Sequence, residues 1–261
     1  MKILVTGPKG FVGSRIMDAL HAVGAPPLRE ASENDIRRIV DEAEPDVIIH
    51  TAAISDIPTC EQNPEASYRA NVIIPLALVR TGVKTVLFSS DQVYGGLRGD
   101  GPYTEGETAP ANLYARHKLE MENRTLELSS DTVLLRAAWM YDMPRYGVRN
   151  RRNFLMDMLR EKELAFSATQ RRGITYVREV AENMRAAASL PGGVYNYGSE
   201  NTLTMLETAQ WLKGELGLSV RLTDAGPRHN LWMDCAKLRE QGISFRSTVD
   251  GLKRCLEDYA L

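Results

Sequence analysis

An apolar run, Ile3-Leu4-Val5, breaks directly into Thr6-Gly7-Pro8-Lys9-Gly10-Phe11-Val12-Gly13. Three glycines spaced three apart, between a strand and a helix, constrain the fold more than any other feature. Gly7 permits the tight turn, Gly10 lets backbone approach a pyrophosphate, and Gly13 lets the helix pack close to the strand. The free amides and positive dipole end of that helix then face the phosphates. The plainer alternative is a tight strand-to-helix turn that binds nothing. Its position at the head of a clear βα unit favours a dinucleotide site over Gly7, Gly10, Phe11, Val12 and Gly13.

The rest of the chain supplies the sheet such a loop needs. Lys2 to Thr6 reads as a buried strand, and Phe11 to Val23 as a helix with Phe11, Val12, Ile16, Leu20 and Val23 on one face. Asp35 to Glu44 is predicted helical, opened by a Ser32 cap with Asp35 three residues on. Strands follow at Asp46 to His50, Thr85 to Ser89 and Thr132 to Ala137, and helices at Pro64 to Gly82 and Asn112 to Leu128. Continuous apolar strands alternating with helices predict an α/β fold, a doubly wound parallel sheet of Rossmann-like type.

Past Trp139 the rhythm breaks. Arg145 to Arg152 holds four arginines in eight positions. Shorter strands are expected at Leu164 to Ser167 and Gly193 to Tyr197, with helices near Val177 to Ser189, Met205 to Leu216 and Gly251 to Tyr259. The predicted division is a cofactor domain over 1–140 and a small C-terminal substrate-binding lobe over 141–261. That lobe is interleaved with returning elements of the first domain.

Composition narrows the function classes. Lys and Arg number 32 against 34 Asp and Glu, a net charge of −2, which lacks the broad basic footprint of a nucleic-acid binder. Cys60, Cys235 and Cys255 are too few and too scattered for a disulfide framework or a CxxC metal site, so no metal is expected. The first apolar run is too short for a signal peptide, and nothing approaches the roughly 18 apolar residues of a membrane span. A cytoplasmic protein without nucleic-acid or membrane partners is expected, with a homodimer open as its assembly.

Two residue sets carry chemistry. Tyr114 and Lys118 stand four apart on one predicted helix and share a face. An adjacent ammonium is expected to lower the tyrosine from its reference pKa of about 10 toward the range useful for proton transfer. With ten tyrosines in the chain, one such pair could arise by chance. Upstream, the Thr85 to Ser89 strand runs into Ser90-Asp91-Gln92, at the carboxyl edge where open α/β sheets form their sites. Ser90 can hydrogen-bond a substrate carbonyl oxygen, or simply cap the strand end. The second set concerns the cofactor's ribose. An acidic residue after the second strand suits NAD, and an arginine suits the 2′-phosphate of NADP. That strand is expected within Ala25 to Glu30, which offers Arg29 beside Glu30. Arg29 tilts the expectation toward NADP(H) over NAD(H). Lys9 and Arg15 could also reach a phosphate, or be ordinary surface.

The Gly-x-x-Gly-x-x-Gly loop and the Tyr114/Lys118 pair resemble the short-chain dehydrogenase/reductase superfamily, in its extended, sugar-nucleotide branch. Ser90-Asp91 and the Pro110-x-Asn112-x-Tyr114-x-x-x-Lys118 segment are most similar to the dTDP-4-dehydrorhamnose reductases and their relatives. The resemblance implies reduction of a keto group on a nucleotide-activated deoxysugar, with Ser90, Tyr114 and Lys118 catalytic. It further implies Ala52, Ala53, Asn71 and Arg136 at the cofactor, together with Tyr114 and Lys118. Asp91, Gln92, Trp139, Asn153, Gln170 and Arg171 would meet the substrate. Relative to that family a strand near Ala25 to Ser32 is missing, and the adenine side is expected to be abbreviated. Dehydratases of the branch follow the Ser/Thr with Asp-Glu. Here the pair is Asp91-Gln92, and a glutamine has no titratable proton to serve as a base. Two alternatives stay open: an epimerase that holds NAD, and a cofactor-binding regulatory subunit without catalysis. Arg145, Arg149, Arg151, Arg152, Arg171 and Arg172 are candidates for a diphosphate or a solvated basic surface. His50 is expected to be packed, His117 to face away from Lys118, and Met156, Met158 and Met184 to fill core.

Overall fold

The computed structural model describes residues 1–144 and 153–261. In chain order its elements begin with β1 (Ile3–Thr6), α1 (Phe11–Leu20), β2 (Val23–Gly24), α2 (Glu33–Ala43) and β3 (Val47–His50). Then come α3 (Ile57–Gln62), α4 (Pro64–Tyr68), a π-helical turn (Arg69–Ile73), α5 (Ile74–Val79) and β4 (Lys84–Ser90). A 3₁₀ turn (Asp91–Tyr94) leads to α6 (Leu113–Leu128) and β5 (Val133–Ala137). The second half carries β6 (Trp139–Tyr141), α7 (Phe154–Arg160), β7 (Glu163–Phe166), β8 (Ile174–Tyr176), α8 (Val177–Ala187) and β9 (Gly193–Tyr197). It closes with α9 (Met205–Glu215), β10 (Arg221–Asp224), α10 (Ala236–Glu240) and α11 (Thr248–Tyr259).

The main sheet has six strands in the order β2-β1-β3-β4-β5-β9. Every pairing in it is parallel. Alternation along the strands explains why both faces are covered. Val5, Ile49, Phe88 and Leu135 pack on the α1/α8 side, while Leu4, Ile48, Leu87 and Leu134 pack toward α2, α5 and α6. Each such side chain contributes about 1.5–3 kcal/mol by leaving water. This is the doubly wound, Rossmann-like sheet that the sequence pattern predicts. The β9 strand, which lies in the chain between lobe elements, completes it. The lobe has its own core around Tyr141, Phe154, Tyr176, Met205 and Leu252, with two short parallel pairs, β6–β8 and β7–β10. Among the described residues no helix is long and apolar enough to cross a membrane.

Two local expectations are corrected. The first helix stops at Leu20, where His21 takes a left-handed conformation with φ 49°, so Val23 leaves the helix and enters β2. That strand is therefore Val23–Gly24, ahead of the Ala25 to Glu30 window. Ala25 N–H still donates to Val5 O at 2.9 Å. Pro26 and Pro27 have no amide hydrogen to continue the ladder. By contrast, Ser32 caps α2 in a full capping box with Asp35, as the sequence predicts. The expected helix over 64–82 is one rod in three pieces, with the π turn at Arg69–Ile73 between two α segments.

Candidate active site

The glycine loop has the geometry its spacing demands. Gly7 sits at φ +70°, where a Cβ would lie 3.0 Å from both Ala52 N and Thr51 Oγ1. A Cβ at Gly13 would meet Gly7 O at 2.1 Å, so no side chain fits there. Gly10 opens α1 with no side-chain cap, which leaves the first-turn amides available to an anion. Phe11 and Val12 form that first turn and are half-buried. Beside it lies a cleft of about 1430 Å³, lined by Gly7, Gly10, Arg29, Glu30, Ala52 and Ala53 among others. Its size exceeds the roughly 300–1,000 Å³ of a drug-sized pocket, and the backbone cradle suits a dinucleotide.

The acid–base residues meet at the end of β4. Ser90 Oγ accepts from Gln92 N–H at 3.2 Å and donates to Asp91 Oδ1 at 3.3 Å. It thus caps the 3₁₀ turn. Asn112 starts α6 by accepting from Ala115 N–H at 2.8 Å, which sets Tyr114 and Lys118 on the buried face one turn apart. Lys118 Nζ donates to Phe88 O at 2.9 Å and lies 5.8 Å from the Tyr114 ring centroid.

The electrostatics correct the expected tuning. Burial raises the Tyr114 hydroxyl above its ordinary value of 10.0, and the nearby Ser90 side chain only partly offsets this. Burial likewise pulls Lys118 from 10.5 down to about 8, with Glu122 opposing. Desolvation outweighs the ammonium's pull because both groups are enclosed. Tyr114 is therefore a protonated donor at neutral pH. His50, packed at 2% exposure, is driven to about 3 by burial and by the Lys118 charge. Its Nδ1 shares a hydrogen bond with Thr6 Oγ1 at 2.6 Å.

The lobe reaches into this site through Arg172. Its guanidinium grips the buried Asp91 carboxylate at 2.8 Å and lies 5.4 Å from the Trp139 ring centroid. Trp139 in turn packs edge-on against Phe154. Gln92 Oε1 accepts from Asn112 Nδ2 at 3.3 Å, on the rim. Ser90, Asp91, Tyr114, Lys118, Arg172 and Trp139 thus cluster.

Other expected site residues have protein partners of their own. Arg136, expected at the cofactor, is enclosed by protein partners. Its guanidinium is 3% exposed and donates to Glu122, Tyr94 Oη and Glu105 O. Asn71 Nδ2 donates to Ile54 O at 2.9 Å, which braces the loop after β3 while Asn71 itself is enclosed. Asn153 caps α7 and donates to Asp142 O, with 2% exposure. Gln170 Nε2 donates to His229 O at 2.7 Å, and Arg171 stacks 5.6 Å from the Trp232 centroid. These two hold the 229–232 segment near the lobe's mouth. Arg15 pairs with Asp142 at 2.8 Å. His117 bonds Ser67 Oγ at 2.9 Å, away from Tyr114. Arg145, Arg149, Arg151 and Arg152 lie outside the described residues. Sequence reasoning placed Arg172 only in a basic set and passed over Arg69. The Arg171-Arg172 doublet before β8 was the one available signal for the former, and nothing local marks the latter.

The profile of the RmlD substrate binding domain family matches residues 1–260. The chain belongs to that family. One relative of this RmlD-type chain is the dTDP-4-dehydrorhamnose reductase of Burkholderia thailandensis. The two are 30% identical over 224 residues, covering 76% of this chain and 73% of the relative. The methionine adenosyltransferase 2 subunit beta of Pongo abelii is 27% identical, covering 98% of this chain and 87% of its own. A crystal structure of a Bacillus anthracis dTDP-4-dehydrorhamnose reductase in complex with NADP superposes with a TM-score of 0.85. It is 22% identical and covers 99% of this RmlD-type chain and 100% of the other, a likeness of fold.

Proposed function

We propose that the protein is an NAD(P)H-dependent oxidoreductase that reduces a keto group on a nucleotide-activated deoxysugar, dTDP-4-dehydrorhamnose or a close relative. The observation that carries this reading is the convergence of Ser90, at the carboxyl end of β4, with Tyr114 and Lys118, which stand one turn apart on the buried face of α6. Family membership and the reductase relatives support the same substrate class.

When bound, the nicotinamide supplies the hydride to the carbonyl carbon. Ser90 holds the carbonyl oxygen through its hydroxyl. Tyr114 then gives its proton to the developing alkoxide, a step favoured because an alkoxide is more basic than a phenolate. Lys118 stabilises the phenolate left behind and orients the adjoining ribose. Asp91 and Gln92 lie beside the reacting oxygen, and Gln92 cannot act as the base of an elimination. Trp139, with Gln170 and Arg171 at the mouth, would enclose the sugar nucleotide in the 141–261 lobe. The 1–140 portion would carry the cofactor on Gly7, Gly10, Phe11, Val12, Gly13, Ala52 and Ala53, with Arg29 at its adenine end. The finer preference for NADP(H) over NAD(H) rests on the basic lining of that end.

The full-length likeness to an adenosyltransferase subunit keeps one rival reading: a cofactor-binding regulatory subunit. Following NADPH and NADH consumption against a panel of keto-sugar nucleotides separates the two. Turnover with a dTDP-4-keto-6-deoxysugar supports the reductase. Tight NADPH binding without turnover of any member of the panel overturns it in favour of the regulatory reading.

A further inference from the structure

An irregular loop forms one end of the cofactor cleft. After β2 the chain runs through Pro26-Pro27 as an irregular loop, with Ala25 and Leu28 as its buried anchors. Backbone hydrogen bonds are sparse there, with Ala25 N–H to Val5 O and Ala31 N–H to Leu28 O. What ties the loop to the body is a side chain from the π turn. Arg69 Nε donates to Arg29 O at 2.7 Å, and Arg69 Nη2 donates to Ala31 O at 2.7 Å.

Both partners of Arg69 are neutral carbonyls, so they leave its charge uncompensated. Among the described residues no carboxylate forms an ion pair with Arg69, Arg29 or Lys9. All three cations line the same cleft, with Glu30 and Glu65 on its rim. Arg29, Lys9 and both glutamates are exposed and free to turn outward. Arg69 is half-buried and fixed by two hydrogen bonds, so its charge stays in the cleft. A π-helical turn re-aims the side chains of a helix and is common at functional sites. Here it starts at the residue that does the clamping.

We propose that Arg69 is a specificity-determining residue of the cofactor cleft: it fixes the Arg29 loop and joins Arg29 in binding a phosphate monoester on the adenosine ribose. This deepens, and rests on, the dinucleotide reading given above. The guanidinium is suited to a phosphate because its planar donors match the oxygens, and the two carbonyl bonds organise it beforehand. Glu30 is the counterweight, since an exposed carboxylate at this end would instead accept from ribose hydroxyls.

Isothermal titration with 2′,5′-ADP and 5′-AMP tests the proposal without any turnover. The wild-type chain is expected to bind 2′,5′-ADP about tenfold or more tightly than 5′-AMP. Arg69→Met should erase most of that ratio while leaving 5′-AMP affinity within about threefold, with the thermal midpoint recorded alongside. Should that variant fail to fold, Arg69→Lys keeps a cation but loses the fork, and its ratio should still fall by at least about threefold. Equal binding of the two nucleotides by wild type, or an unchanged ratio in the variants, overturns the role of Arg69 alone. Absence of binding by NADPH and NADH as well would overturn the dinucleotide reading itself.

Discussion

Asp91 and Arg172 are joined across the two halves of the molecule. The carboxylate beside Ser90 is 1% exposed, and the guanidinium that holds it at 2.8 Å comes from the edge of the lobe. Burial raises the Asp91 carboxyl, and Arg172 opposes that rise. The pair therefore fixes the distance between Ser90 and Trp139, since Arg172 touches Trp139 and the residue next to Ser90.

Breaking that pair from one side should be costly. Arg172→Met leaves Asp91 buried without a counter-charge and should lower unfolding stability by about 2–4 kcal/mol. Adding Asp91→Asn should recover at least half of the loss. Urea unfolding of both single variants and the double variant supplies the cycle, and strictly additive losses would mean that the two residues are not coupled.

Tyr114→Phe deletes the proton donor and little else. Turnover should fall by about 10²–10⁴, the range for loss of a general acid. NADPH affinity, measured by fluorescence, should stay within about threefold of wild type. A variant that kept wild-type turnover would remove Tyr114 from the mechanism.

Lys118 titrates near the working range of an enzyme because burial lowers it to about 8. Its charge is present below that value and lost above it. The kcat/KM profile of the free enzyme should accordingly show an alkaline limb near pH 8. A guanidinium at the same position would remain charged throughout, so Lys118→Arg should carry the limb beyond about pH 10, whatever its absolute rate. A limb that stays in place in that variant assigns it to another group.

His50 makes stability pH-dependent in the acid range. Its folded value of about 3 lies below the unfolded 6.5, so the unfolded chain binds more protons between those limits. Its contribution is complete above pH 6.5 and is lost as pH falls toward 3. At pH 5 the loss is about 2 kcal/mol relative to pH 7. His50→Gln should show a pH 7-to-5 drop smaller by that amount in urea titrations; an identical drop would show that His50 is not the titrating group.

The parallel sheet was legible because its strands are short, apolar and separated by amphipathic helices, and the glycine loop fixed which end of it binds. The cluster of Ser90, Tyr114 and Lys118 was legible for the same reason: helical spacing and strand-end position are local. Tyr114's proton affinity was not, because the burial that sets it is supplied by residues far off in sequence. The Arg136–Glu122 ion pair was not legible, because nothing near Arg136 reveals the glutamate across the β5–α6 contact. The second strand was placed too late because Val23 continues the apolar stripe of α1, and only the αL turn at His21 interrupts it. Arg172 and Arg69 act over 81 and 40 residues of chain, respectively. Separations of that kind leave no periodic trace.

The place of β9 has a practical consequence for anyone dividing this protein. A fragment ending at residue 140 would lack the strand that pairs with Val133 to Ala137, exposing a long apolar edge. It would also lose α8, which shields the face of α1 behind the glycine loop. Residues 1–140 are consequently not a self-contained unit. Because β10, α9 and α11 of the lobe follow β9 while β6, β7 and β8 precede it, a swap of the lobe has to exchange two separate stretches of chain and leave β5, α8 and β9 with the host.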